Sequence, residues 1–296
     1  MKLKEKYRHY DIVFNIYMCT MAVLLLVFGP GRIDNWLLHA LKYVLVACVG
    51  NALVIYGKDK GIIGFFRTFY PMLIFQMNYT DSGRFAFMFF SELQDPLILN
   101  FERIFFPVQP VIFLERLASP LLTELVTVGY MAYYFILPIL ALLLFYRKKD
   151  IKGTYNLMLT VSITFYFCYL FFMILPVDGP WRYRPVLDVF DGRLSGYFLY
   201  PLQEKIMKMA TVHSGCFPSS HVAVATVTIL NARKYYKTLG FPYLIIGVLL
   251  FFATFYLRFH YLTDSVAGFL VGALFFKVIS RYNDRWFEKK NTISSS

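Results

Sequence analysis

Long apolar stretches of this chain run for 20 residues or more without a charge: Ile12–Gly31, Leu125–Tyr146, Gly153–Val177 and Thr238–Leu257. About 20 residues of α-helix cross the roughly 30 Å hydrocarbon layer of a bilayer, and a helix satisfies its own backbone there. Weaker apolar runs follow at Trp36–Tyr56 (interrupted by Lys42), Phe65–Tyr79 (carrying Arg67 and Pro71), His221–Ala232 and Leu262–Ser280. They raise the expected number of spans to about eight, the third short enough to re-enter rather than cross. The first run is long for a signal sequence and ends in Gly29-Pro30-Gly31 without a small-residue cleavage site, so it reads as a retained anchor. Between Phe65–Tyr79 and Leu125–Tyr146, residues 80–120 alternate aromatic clusters with Glu92, Asp95, Glu102, Arg103, Glu115 and Arg116. That pattern predicts amphipathic helix lying in the membrane interface. The expectation is one all-α domain over 1–296, a polytopic transmembrane helical bundle. Residues 80–120 form its interfacial segment and 121–281 its core helices.

Composition agrees, with 58% hydrophobic and 16% charged residues among 296. This excludes a disordered chain, a coiled coil and a soluble enzyme. The net charge of +12 would suit a nucleic-acid binder, but its distribution says otherwise. Segments 1–10, 57–61, 147–153, 233–240 and 277–296 carry 18 of the 30 Lys and Arg residues and fall at alternate span ends. The charge is therefore a sidedness signal, which puts both termini in the cytoplasm and the opposite loops outside. Lys42 and Arg67 lie within spans, and snorkelling to the cytoplasmic face suits Arg67 better than Lys42. The partners expected are the lipid bilayer and a lipid substrate, with no nucleic acid. Cys19, Cys48, Cys168 and Cys216 show neither disulfide nor zinc spacing.

Three polar segments fall on the predicted outer side: Pro176 to Pro185, Gly215 to His221, and Tyr256 to Asp264. His260 and Asp264, four residues apart, share a helix face, so the carboxylate can orient the imidazole and leave one nitrogen lone pair for attack. Pro218, Ser219 and Ser220 open a helix whose N-terminal amides attract phosphate, and His221 in its first turn is placed as a general acid. Arg182, Arg258 and, with less to distinguish it from a topology residue, Arg184 are candidate phosphate contacts. His213 has no partner that the sequence identifies and reads as a surface residue. No clustered carboxylates are offered to Mg²⁺, so neither a metal nor a cofactor is expected.

Pro218-Ser219-Ser220-His221 and His260-x-x-x-Asp264-x-x-x-Gly268 resemble the second and third motifs of the type 2 phosphatidic acid phosphatase superfamily, P-S-G-H and S-R-x₅-H-x₃-D, over roughly residues 120–280. The resemblance implies a six-helix phosphatase-type core. By it, His260 is a nucleophile forming a phosphohistidine, Asp264 its orienter and His221 the general acid, while Ser219 and the amide of Ser220 bind phosphate. Two positions depart. The first-motif lysine falls on Val177, and the Ser-Arg of the third motif falls on Ala253-Thr254, so Arg258 is expected to stand in for the missing arginine. These departures, Pro176-x-x-x-Pro180-x-Arg182, and Glu124, Tyr130, Tyr133 and Tyr134 resemble the inositol phosphorylceramide synthase (aureobasidin-resistance) branch, whose members transfer phosphorylated head groups between lipids. The expected activity is a lipid phosphatase or phosphotransferase, with head-group transfer as the alternative to hydrolysis. A silent protein that keeps the anion site to bind lipid headgroups is the alternative of another class, but it would need no nucleophile.

Overall fold

The computed structural model describes residues 6–58, 60–192, 194–210 and 212–295. Lys2 and Lys4 of the first basic segment and the terminal Ser296 lie outside the described residues. The described residues form twelve helices: α1 His9–Phe28, α2 Trp36–Tyr56, α3 Gly61–Arg84, α4 Asp95–Phe105, α5 Pro110–Glu115, α6 Pro120–Leu142, α7 Ile151–Ile174, α8 Arg184–Leu187, α9 Leu199–Ala210, α10 Ser220–Tyr235, α11 Lys237–Tyr256 and α12 Leu262–Ser295. Among them there is no strand, only an isolated bridge between Val177 and Gly215.

Six helices are long and apolar enough to cross a membrane: α1, α2, α6 with its π-helical continuation to Arg147, α7, α11 and α12. The other two expected spans are also helical, but neither meets that standard. α3 runs for 24 residues with Arg67, Asn78 and Asp81 buried on it, and α10 has 16 residues. α10 packs against α6, α7, α11 and α12, and most of its side chains are buried. Hydropathy dilutes there because α10 faces protein instead of lipid. Asn231 can therefore donate to Thr160 while Asn156 donates to Asn231 and Ser280 in the bundle interior.

The two ends of the bundle differ in charge. The His9 ring meets Tyr155, Tyr282 and Trp286, while Asp284 pairs with Lys152 and Lys234. The starts of α1 and α7 and the ends of α10 and α12 thus share one face, where the basic segments gather. The assignment of that face to the cytoplasm comes from the positive-inside rule alone. Arg67 does not snorkel. It is buried and gives two hydrogen bonds to Asp11, at 3.0 and 2.7 Å, and Tyr70 donates to the same carboxylate at 2.9 Å. Lys42 is held by Asp81 near the opposite end of α3. Each intramembrane cation is therefore neutralised on a neighbouring helix.

One helix contact fixes the site. Gly268 and Gly272 of α12 lie against α10 so closely that a Cβ on either would fall 2.4 Å from a carbonyl oxygen, of Ser219 or Ala223. Small residues four apart let two backbones approach in this way. The Ser219 N–H then donates to the Asp264 carbonyl at 3.0 Å, joining the second polar segment to the third.

Candidate active site

His260 occupies the turn between α11 and α12 and is almost fully buried. Its N–H donates to the Thr254 carbonyl at 2.9 Å, and its Nδ1 lies 3.1 Å from the Cys216 carbonyl oxygen. A carbonyl can only accept, so Nδ1 carries the proton and the Nε2 lone pair is left for chemistry. The Ser219 hydroxyl, 3.2 Å away, donates to that lone pair. Burial pushes the His260 pKa down to about 4, so the ring is neutral at pH 7. Asp264 stands further off than a direct hydrogen bond allows. Its Oδ2 is 3.6 Å from Nδ1 and accepts the Tyr261 N–H, and its Oδ1 is buried with no partner among the described residues. The tautomer thus rests on a main-chain carbonyl, with the Asp264 carboxyl standing beside it.

Ser219 caps α10, accepting from the Val222 N–H at 3.4 Å, and Ser220 and His221 form the first turn. Amides at those positions have no intrahelical acceptor and suit an anion. The His221 ring centre lies 5.9 Å from that of His260. Its Nε2 is 3.4 Å from the Tyr130 hydroxyl, its Nδ1 is buried and unpartnered among the described residues, and Tyr133 and Tyr134 complete a ring of aromatics around it.

The three candidate arginines part company. Arg182 stands beside Trp181, a wall residue of the pocket at His260, and its charge reaches Cys216. Its Nη2 donates to His213 Nε2 at 3.1 Å, and His213 Nδ1 donates to Asp178 at 3.1 Å. His213 is therefore a bridge and not an isolated surface residue. Arg184 is exposed, with only a loose 3.6 Å pair to Asp188. Arg258 turns away from His260, its backbone left-handed at φ +67°. Its guanidinium lies 2.7 Å from Glu115 and 3.8 Å over the Phe190 ring. The expectation that Arg258 replaces the missing arginine gives way to this ion pair, because Glu115 already uses its charge. Val177 and Thr254, where the resemblance would put a lysine and an arginine, are buried neutral residues, Thr254 bonded to Ser265 at 2.7 Å.

The sequence reading missed the acids that hold these segments together. Asp95, fully buried, accepts the Asp178 and Gly179 N–H groups and the Tyr261 hydroxyl, each at 2.9 Å. Glu102, two helical turns on along α4, accepts the Thr263 N–H at 2.9 Å at the start of α12. Burial raises the carboxyl pKa of both, that of Asp95 to about 6. Together with Glu115, they tie the segment expected to lie in the interface to the loops that carry the site. The expected start of that segment also moves, since α3 continues to Arg84. Asp95 and Glu102 lie seven residues apart, on one face of a helix that Pro96 begins, and that was the available signal. Gly179 (φ +83°) needs its missing side chain, because a Cβ would meet Cys216 Sγ at 2.6 Å and the Phe259 oxygen at 2.9 Å.

Two cavities meet at His221. The smaller, about 20 Å³, is walled by Asp178, Trp181, Cys216, His221, Phe259 and His260 among others, with room for about one water. The larger, about 260 Å³, runs down between α3, α6 and α7. Tyr79, Met207 and His221 border both. Cys216, His260 and Asp264 bring potential metal ligands within 4.8 Å of one another. However, the Cys216 thiol donates to the Asp178 and Phe259 carbonyls, and its burial opposes the thiolate that a metal requires. The donor set is arranged for hydrogen bonding.

A sequence model of the PAP2 superfamily matches residues 97–278, more than half of the chain. The match begins inside α4, takes in all three polar segments, and leaves out Asp95 and helices α1–α3. A PA-phosphatase related-family protein of Dictyostelium discoideum is 30% identical over 107 residues, which is 36% of this chain. The matched stretch is 19% of that relative, so the chain spans about a fifth of its length. No solved structure matches the chain.

Proposed function

The chain belongs to the PAP2 superfamily, and from that premise we propose that it is a membrane-embedded lipid phosphatase or phosphotransferase acting through a phosphohistidine on His260. The observation that carries this reading is the bonding of His260. Nδ1–H is held by the Cys216 carbonyl, and the Nε2 lone pair points to the hydroxyl that caps α10. A phosphate seated on the first amides of α10, with Ser219, Ser220 and Arg182 around it, presents phosphorus to Nε2. The N–P bond forms as the P–O bond to the lipid alcohol breaks. Burial lowers the His221 pKa to about 3, so the ring is protonated only with the phosphate beside it, and it hands that proton to the departing oxygen. It then takes a proton back from the hydroxyl that resolves the phosphohistidine. Asp264 balances the positive charge on His260 while the ring is substituted. No residue in this sequence of steps calls for a metal.

The resolving hydroxyl decides between hydrolysis and head-group transfer. Transfer is favoured by one observation: Tyr130, Tyr133 and Tyr134, which carry the likeness to the inositol phosphorylceramide synthase branch, ring His221 and limit bulk water beside it. The site face lies opposite the basic face, so the positive-inside rule makes it extracytoplasmic. The test is purified protein with a panel of lipid phosphates and phosphodiesters, assayed for inorganic phosphate and new lipid products together. His260→Ala is expected to abolish both products, and Asp264→Asn to reduce them at least about 10²-fold. Wild-type turnover by either variant would defeat the mechanism, and so would complete loss of activity in chelator.

A further inference from the structure

The larger cavity differs in chemistry from the pocket it joins. Its walls are Phe75, Leu137, Pro138, Phe165 and Tyr169 with Met72 at its deep end, and among the described residues no Lys, Arg, Asp or Glu lines it. From Tyr79 at the His221 end to Met72 is seven residues of α3, about 10 Å of depth along the helix. Leu137 and Phe165 lie within helices long and apolar enough to cross a membrane, a setting that suits hydrocarbon. A phosphate has no counter-charge there, whereas a hydrocarbon chain needs none. Ser220 and His221 line the end of the larger cavity nearest His260, and Tyr79, Met207 and His221 border both cavities, so an amphiphile lying in the larger one presents its head to the first turn of α10.

We propose that this chamber receives a hydrocarbon chain of the lipid whose phosphate is attacked by His260, and that α3 sets which chains fit. The proposal deepens the functional reading above and rests on it for the identity of the headgroup. Its distinctive element is α3. Met72, Phe75, Gln76 and Tyr79 form one long wall yet lie outside the residues that the superfamily shares with this chain. The candidate catalytic residues and the walls on α6 and α7 therefore belong to the family segment, while one wall of the chamber is supplied by the preceding helix. Gln76, at the exposed side of that wall, is its one amide side chain and the natural contact for an ester or amide group near the head of the lipid.

The test is photolabelling in lipid nanodiscs with a long-chain lipid phosphate that carries a diazirine in mid-chain, followed by peptide mapping. Adducts are expected on Met72, Leu137 and Phe165. Adducts confined to the outer, lipid-facing side chains of the bundle would overturn the proposal. Met72→Trp fills the chamber, so it should cut labelling several-fold and raise KM for the long-chain substrate about tenfold or more. A phosphate ester without a chain should keep its kcat/KM within about twofold. Equal effects on both substrates would also overturn it. Should Met72→Trp fail to fold, Phe165→Ala enlarges the same chamber and should shift preference toward bulkier chains, and an unchanged preference counts against the proposal. Chamber adducts without turnover of any lipid in the panel would leave the chamber standing and remove the phosphatase reading, so the two failures are separable.

Discussion

The two faces of this bundle use their carboxylates differently. At the basic face, Asp11 and Asp284 are spent on cations: Arg67 for the first, Lys152 and Lys234 for the second. At the site face, Asp95, Glu102 and Asp178 are spent mainly on main-chain N–H groups of the segments that carry the chemistry. Charge pairs at the first face tie helix to helix and set sidedness. Acids at the second hold loops in place without consuming Arg182, which His213 steers instead. Glu115 and Asp81 are exceptions: the first holds Arg258, the second Lys42 and Arg84.

The sharpest way to break this comparison is to remove one acid from each face. Asp95→Asn leaves at least one buried N–H facing an amide that cannot accept from it, so a loss of about 2–4 kcal/mol in stability is expected. The loops bearing Arg182 and His260 lose their common anchor, and kcat should fall about 10²-fold, as for a misplacement near 1 Å. An Asp95→Asn enzyme with full activity would make α4 mere interfacial packing. Next in size, Arg182→Ala should raise KM for a lipid phosphate about 10- to 100-fold, the loss of one charge-assisted bond. Arg184→Ala should stay within about twofold. Equal effects of the two would contradict the division of the arginines drawn from the structure.

A smaller effect is expected of pH. Because His260 has its pKa lowered to about 4, its lone pair stays available well below neutrality. The kcat/KM profile, corrected for ionisation of the substrate, should fall less than about threefold from pH 7 to 5, where an ordinary histidine would lose about 30-fold. The same shift contributes stability that is complete above pH 6.5 and is lost as pH falls toward 4. An acid limb centred near 6.5 would mean that His260 is not the group being read. Least of all, Asp284→Asn at the basic face removes partly exposed pairs, so it should cost at most about 1 kcal/mol and leave kcat unchanged.

How much of this was legible in the sequence follows the range of each interaction. The gathering of His221, His260 and Asp264 at one place could be expected from short spacings and motif order, and the structure brings them together. The starts of α1 and α7 and the ends of α10 and α12 share one face, as the alternation of basic segments implies, since that is a one-dimensional pattern. The bonding of His260 to the Cys216 carbonyl could not be read, because a main-chain acceptor leaves no residue signature. Arg258 was misread for a related reason: Glu115 lies 143 residues away, and only the fold shows that the charge is taken. α3 and α10 counted as spans by apolarity alone, but their polar residues face protein, which hydropathy does not distinguish from lipid.

The central claim is that His260 becomes covalently phosphorylated. Rapid acid-free quenching of the purified protein with a lipid labelled on phosphorus should trap base-stable, acid-labile label on His260, and none in His260→Ala. His221→Ala should slow both formation and decay of the labelled species. Label on any other residue, or steady turnover in wild type with no trapped phosphohistidine alongside an active His260→Ala, would contradict the account.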